Sequence, residues 1–212
     1  MKNKTTIIST IICLLPMVLA AVLYPKLPAQ IGVHFSNTGV ADNYLPKAVA
    51  AFGSPILLAL INLYSHARIN LDPKNENASI SLKNLSKWLV PIISVIMNPV
   101  TLFMAIGVRI PIVLIAQIIV GIVIVITGNY LPKCKRNYTI GIKLPWNLDN
   151  EDNWNRTHRL AGFVWVIGGF VMLLNAFLNI SLYIMFVVII LLVVLPFMYS
   201  YLSYQKEHKK AD

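Results

Sequence analysis

Six long apolar runs, parted by polar intervals of very unequal length, set the plan of this 212-residue chain. They cover 7–24, 48–65, 85–106, 111–127, 160–177 and 180–202. Each is close to the ~17–25 residues that a helix needs to cross ~30 Å of hydrocarbon. Two intervals are very short, 107–110 and the pair Leu178-Asn179, and such joints force antiparallel helical hairpins. The pattern predicts an all-α integral membrane protein, a six-transmembrane-helix bundle. The first run follows a basic start, as a signal peptide would, but it exceeds the ~7–15 residues of a signal core and no small-x-small cleavage site ends it. Ile12 stands before Cys13 where a lipoprotein cysteine needs a small residue. We read the run as a retained first span.

Composition supports this class. Hydrophobic residues make up 57% and charged residues 12%, whereas a soluble protein carries roughly 25% charged residues to cover its surface. The 18 Lys and Arg are distributed unevenly. Only Lys26, Lys47 and Arg109 fall on the side away from the N-terminus. By the positive-inside rule that asymmetry predicts cytoplasmic N- and C-termini. It also accounts for the net charge of +10, so the basic balance calls for no direct nucleic-acid partner.

None of the Asp, Glu, Lys or Arg residues lies deep within a run. Intramembrane ionisable groups mark ion paths and voltage sensors, and their absence argues against an ion-coupled pump. The runs do carry Asn62, Asn98, Gln117 and Asn175, with Pro16, Pro55, Pro91, Pro99 and Pro196. These fit interhelical hydrogen bonds and tolerated kinks, or else a polar seam with a bend at Asn98-Pro99.

The polar intervals differ in character. The predicted external loop, 25–47, holds Pro28 and then alternating Ile31, Val33 and Phe35, which suggest a short extended piece on the membrane surface. Gly39 suits a turn. His34 and Asp42 can meet as a pair or contribute to a metal site, but two ligands make a poor one, and a structural His with a turn-forming Asp is the favoured reading. The interval 67–84 reads as a solvated cytoplasmic connector. The longest and most varied is 128–159. Gly128-Asn129 ends a span and Pro132 follows it; Gly141 and Pro145 exclude one continuous helix. Trp146 suits the headgroup level. Asp149 or Asn150 can cap a helix carrying Glu151 and Asp152 in its first turn. That helix runs through Trp154, Arg156, His158 and Arg159 into the fifth span, with Trp154 and His158 on one face. The stretch is either an interfacial anchor or a docking surface.

Cys13 lies in a span and Cys134 on the reducing side, so neither suits a disulfide or a zinc pair. No metalloprotease, nucleophile-elbow, P-loop or paired-carboxylate pattern occurs, and no cofactor or enzymatic activity is expected.

Gly128-Asn129-x-Leu131-Pro132-x(4)-Asn137-x(3)-Gly141-Ile142-Lys143-x-Pro145-Trp146-x-Leu148, then Trp154, Thr157-His158-Arg159 and Gly162, resembles the motif of the SdpI family. Leu27-Pro28-x(2)-Ile31-x(2)-His34-Phe35-x(3)-Gly39-x(2)-Asp42 is similar to the DUF1648 domain that often precedes it. Lys143 stands where the family often has Arg, and Asn147 where it often has Thr. The resemblance divides the chain into a DUF1648-like segment 1–66, a connector 67–84 and an SdpI-like four-helix region 85–212. It implies a multi-pass protein of the bacterial cytoplasmic membrane that gives immunity to a secreted toxin peptide and holds a cytoplasmic transcriptional repressor at the membrane. In that reading Pro28, His34, Phe35, Gly39 and Asp42 meet the toxin. Asn129, Pro132, Asn137, Gly141, Pro145, Trp146, Trp154, His158 and Arg159 form the partner-binding stretch. The alternative function is a transporter or channel for a small or lipidic solute, with the polar span residues along one path.

Overall fold

A computed structural model of the chain describes residues 2–208; Lys209 and Lys210, counted above among the basic residues, lie outside them. Helices α1 (Lys2–Leu14), α2 (Pro16–Leu23), α3 (Ser54–Leu71), α4 (Ile80–Ala105), α5 (Ile112–Tyr130), α6 (Pro145–Asp149), α7 (Glu151–Leu178) and α8 (Leu182–His208) carry most of it. The strands β1 (Gln30–Phe35) and β2 (Ala41–Pro46) form the one sheet among the described residues. Six helices are long and apolar enough to cross a membrane: Lys4–Lys26, Val49–Leu71, Ile80–Ala105, Ile112–Lys133, Glu151–Leu178 and Tyr183–Glu207. They fall on the six apolar runs. The first is interrupted at Leu15, because Pro16 has no N–H to offer the carbonyl of Ile12.

The chain packs as two compact units. The first combines residues up to Arg68 with Asn84–Val113. Its core joins Ala20 of α2, Leu27, Ile31 of β1, Ala50, Ala51 and Leu102 of α4. Side-chain hydrogen bonds fasten its helices, as interhelical polar groups do in lipid. Ser94 Oγ donates to the Cys13 carbonyl at 2.7 Å, and Asn62 Nδ2 donates to Ser9 Oγ at 2.9 Å and Thr10 Oγ1 at 3.1 Å. Buried His66 lies between the hydroxyls of Thr6 and Ser9 at 3.0 and 3.1 Å. The extended piece expected at 31–35 is β1, and it is half of a hairpin. Antiparallel β2 pairs with it from Gln30↔Pro46 to Phe35↔Ala41, with irregularities around His34. Gly39 turns the chain at φ +79°, where its N–H donates to Ser36 O at 2.9 Å.

The second unit combines Ile69–Lys83 with the chain from Leu114 onward. Here α5 and α7 cross at two reciprocal glycine pairs. A Cβ on Gly128 would lie 3.0 Å from Gly162 O, and one on Gly162 would lie 2.9 Å from Gly128 O. Two turns along, a Cβ on Gly169 would come within 3.0 Å of Gly121 O. Only hydrogen at these positions lets the backbones approach so closely. Helices α7 and α8 form an antiparallel pair around Met172, Met185, Val188 and Leu192. Their joint is closed by Asn179 at φ 47° and by Ser181 N–H donating to Asn175 Oδ1 at 3.1 Å. Pro196 in α8 leaves the carbonyl of Leu192 without its helical donor. Trp165 Nε1 supplies one from α7 at 2.9 Å.

Candidate functional site

Between α5 and α7 the chain forms a compact loop organised by buried amides. Asn137 is fully buried; its Oδ1 accepts from the N–H groups of Thr139 (3.0 Å) and Ile140 (2.7 Å). Its Nδ2 donates to the carbonyls of Lys135 and Ile140, both at 2.9 Å, and approaches Cys134 Sγ at 3.2 Å. Asn147, equally buried, does the same ten residues later. It accepts from Leu144 N and donates to Ile142 O, each at 2.9 Å, which ties the first turn of α6 to the strand of chain before it. A segment with no regular backbone ladder thus has its polar groups satisfied by two side chains.

Trp154 and His158, four apart on α7, are buried beneath this loop with their rings stacked at 4.0 Å. Trp154 Nε1 donates to Cys134 O at 2.7 Å. Ile142 N–H donates to His158 Nε2 at 3.0 Å, so Nε2 is an acceptor. The proton therefore sits on Nδ1, which lies 2.8 Å from the Trp154 carbonyl. This is a neutral, single-tautomer histidine holding a loop, with no lone pair left for chemistry. Gly141 passes directly over the pair at φ +118°, where a Cβ would lie 2.5 Å from His158 Nε2 and 3.1 Å from the Trp154 ring. Burial also pushes the Cys134 thiol up from its ordinary value.

Two further pieces of chain close the loop. On α8, Ser200 Oγ donates to Asn153 Oδ1 at 2.6 Å and accepts from Trp146 Nε1 at 3.0 Å. Trp146 packs edge-on against Phe197 and Tyr201. Glu207 accepts from Asn150 Nδ2 at 2.7 Å and lies 3.6 Å from Arg156. From the other direction, Asp72 accepts from Tyr138 N at 3.1 Å, while Asn77 donates to Arg136 O and accepts from Lys135 N. Within the 67–84 interval, most of whose polar residues are exposed or partly exposed, buried Asp72 and exposed Asn77 bond to the loop.

In the hairpin, His34 Nδ1 and Asp42 Oδ1 meet at 2.5 Å across the two strands, both side chains exposed. The two therefore meet as a pair, and Asp42 lies in β2 rather than forming the turn as the favoured reading had it. Among the described residues no cluster of three or more His, Cys, Asp or Glu is placed to hold a metal.

These two features coincide with two family regions. Residues 11–59 match DUF1648, a domain of unknown function, and residues 133–200 match the SdpI/YfhL protein family. Over 205 residues the chain is 29% identical to a protein of Bacillus subtilis (strain 168) named Immunity protein SdpI, an alignment covering 96% of this chain and 97% of that one. The chain thus carries an SdpI-family region and a DUF1648 region, and it is similar to that protein along nearly its whole length. With its six apolar helices it is a multi-pass membrane protein. No solved structure matches it. The SdpI region holds the amide-braced loop, α6, α7 and most of α8; the DUF1648 region holds α2 and the hairpin.

The predicted loop residues separate into two groups. Asn137, Trp154 and His158 are buried and, with Gly141, build the loop. Asn129, Pro132, Pro145 and Arg159 are exposed, and Trp146 is half-buried against α8. In the hairpin, Pro28, His34 and Asp42 are exposed, whereas Phe35 and Gly39 are partly covered. Sequence reasoning missed Asn153, Ser200, Glu207 and Asp72. The i,i+4 spacing of Asn153 and Thr157, whose hydroxyl donates to Asn153 Oδ1 at 3.2 Å, was a usable signal. Nothing local marks Ser200 as its partner.

Proposed function

We propose that this chain is a non-enzymatic immunity protein of the bacterial cytoplasmic membrane that protects its cell from a secreted antimicrobial peptide or toxin. The observation that carries this reading is similarity along nearly the whole length of both chains to a relative bearing that name. In this reading both termini are cytoplasmic, so the hairpin with Pro28, His34, Phe35, Gly39 and Asp42 faces the incoming peptide. The exposed members of the motif, Asn129, Pro132, Pro145 and Arg159, offer a surface to a cytoplasmic repressor. Asn137, Gly141, Trp154 and His158 act by holding that surface in shape. A signal from toxin to repressor requires that the toxin bind one arrangement of the helices better than another. The protein itself contacts lipid and proteins, not nucleic acid, and needs no cofactor. The transporter alternative asks Asn62, Asn98, Gln117 and Asn175 to line one path. Asn98 and Asn175 are instead taken up by local partners, and Asn62 spends its Nδ2 on Ser9 and Thr10 while its buried Oδ1 has no partner.

The test is expression in a sensitive host challenged with a killing peptide encoded beside the gene, with membrane insertion checked for each variant. Wild type is expected to raise the lethal peptide concentration at least tenfold. A His34→Ala, Asp42→Ala double variant should lose most of this, and Arg159→Ala should keep it while releasing the repressor. Wild-type cells as sensitive as the empty-vector control would end the immunity reading.

A further inference from the structure

The first unit encloses a cavity of about 550 Å³ beneath the hairpin, inside the ~300–1,000 Å³ range of ligand pockets. Its walls come from Ile31 and Phe35 of β1, from the π-helical turn Val49–Gly53, and from α3 and α4. The π-turn explains the space: it widens the helix by one residue per turn. It also presents only Ala50, Ala51 and Gly53 beside Val49 to the cavity.

The wall is apolar except for Ser54, Asn98 and Thr101, and their side-chain donors are already used. Ser54 Oγ donates to Asn98 Oδ1 at 2.7 Å. Asn98 Nδ2 donates to Ser94 O and Ser94 Oγ at 3.0 and 3.1 Å, and Thr101 Oγ1 donates to Asn98 O at 2.9 Å. A peptide segment would bring backbone N–H and C=O groups that find too few partners here, at a cost of roughly 1–3 kcal/mol each. A hydrocarbon chain brings none. The rim is apolar and open: Val33, Leu45, Val49 and Leu57 are exposed, Leu57 by 58%. Val49 begins the candidate membrane span Val49–Leu71 and Leu57 lies about 12 Å further along it, so the opening reaches from the end of that span into it.

We propose that this cavity is a binding site for one acyl chain of a membrane lipid, admitted sideways from the bilayer. The site is independent of the immunity reading and needs no toxin to be tested.

The experiment uses the full chain in nanodiscs containing a phosphatidylglycerol with a diazirine midway along one acyl chain. After irradiation, adducts are mapped by mass spectrometry of digests. The expected result is adducts concentrated at least fivefold on Leu57, Ile93 and Met97 over the exposed apolar residues of α8. Met97→Trp and Gly53→Leu fill the cavity from opposite walls, and either should lower those adducts at least fivefold without changing labelling of α8. Gly53 has room for a side chain, since a Cβ there meets only Val49 at 3.6 Å. Adducts spread evenly over all lipid-facing helices in wild type would overturn the proposal, and that comparison stands if neither variant folds. Displacement of the probe by an apolar peptide but not by a second, unlabelled phospholipid would overturn it in favour of a peptide site.

Discussion

Gly141 is fixed twice over, by a backbone conformation that L side chains rarely adopt and by the rings of Trp154 and His158 directly beneath it. Gly141→Ala adds positive-φ strain and overpacking, together about 2–5 kcal/mol. The expected outcome is a loop that loses its fold while the spans remain inserted, read as a lowered thermal midpoint of the detergent-solubilised protein. Cys134 reports on the same event. The thiolate is the reactive form, and burial both hides the sulfur and disfavours its ionisation. In a Cys13→Ser background, maleimide should label Cys134 slowly in the wild-type fold and at least tenfold faster after Gly141→Ala. At this scale the sequence was legible where side-chain chemistry is unusual. It placed Trp154 and His158 on one helical face and assigned the cap to Asp149 or Asn150, of which Asn150 accepts from Asn153 N. It did not distinguish residues that face outward from those that hold the loop together, because burial depends on chain brought in from elsewhere.

Among the elements, the helices were readable and the hairpin only half so. The β2 sequence Ala-Asp-Asn-Tyr-Leu-Pro has none of the β-branched residues that mark strands, and it is extended because β1 pairs with it. The α5–α7 crossing left a trace that is clear only in retrospect. Gly121 and Gly128 on one helix, and Gly162 and Gly169 on the other, share a seven-residue spacing that keeps each pair on one face. The proline in α8 yields a sharper test. Trp165→Phe removes the donor to Leu192 O and should cost about 1–3 kcal/mol by leaving a buried carbonyl unpaired. Pro196→Ala restores a helical N–H to that carbonyl. The double variant should therefore be more stable than the sum of the single effects, a coupling that a thermodynamic cycle on the purified protein measures. Strict additivity would mean that the indole and the proline act independently.

For the molecule as a whole, six spans follow from hydropathy alone, because hydrocarbon accepts little other than satisfied helices. The bias of Lys and Arg makes a prediction about sidedness, with both termini cytoplasmic. It predicts that Thr38→Cys in the hairpin turn is labelled by an impermeant maleimide in intact cells, and that Asp149→Cys is labelled only after lysis. The reverse pattern would invert the molecule and exchange the roles proposed for hairpin and loop. What hydropathy leaves out is the polar wiring of each unit. Ser200 meets Asn153 across 47 residues of sequence and Trp146 across 54, distances over which no periodicity speaks. That separation also bears on how the protein is made. Chains leave the ribosome N-terminus first, at about 5–20 residues per second, so the motif loop is translated well before Ser200 and Glu207. Its last hydrogen bonds must wait until α8 has been synthesised. Membrane insertion and completion of the loop are thus separate events in biogenesis, and a ribosome stalled within α8 would hold a chain whose earlier spans are in place but whose motif loop is unfinished.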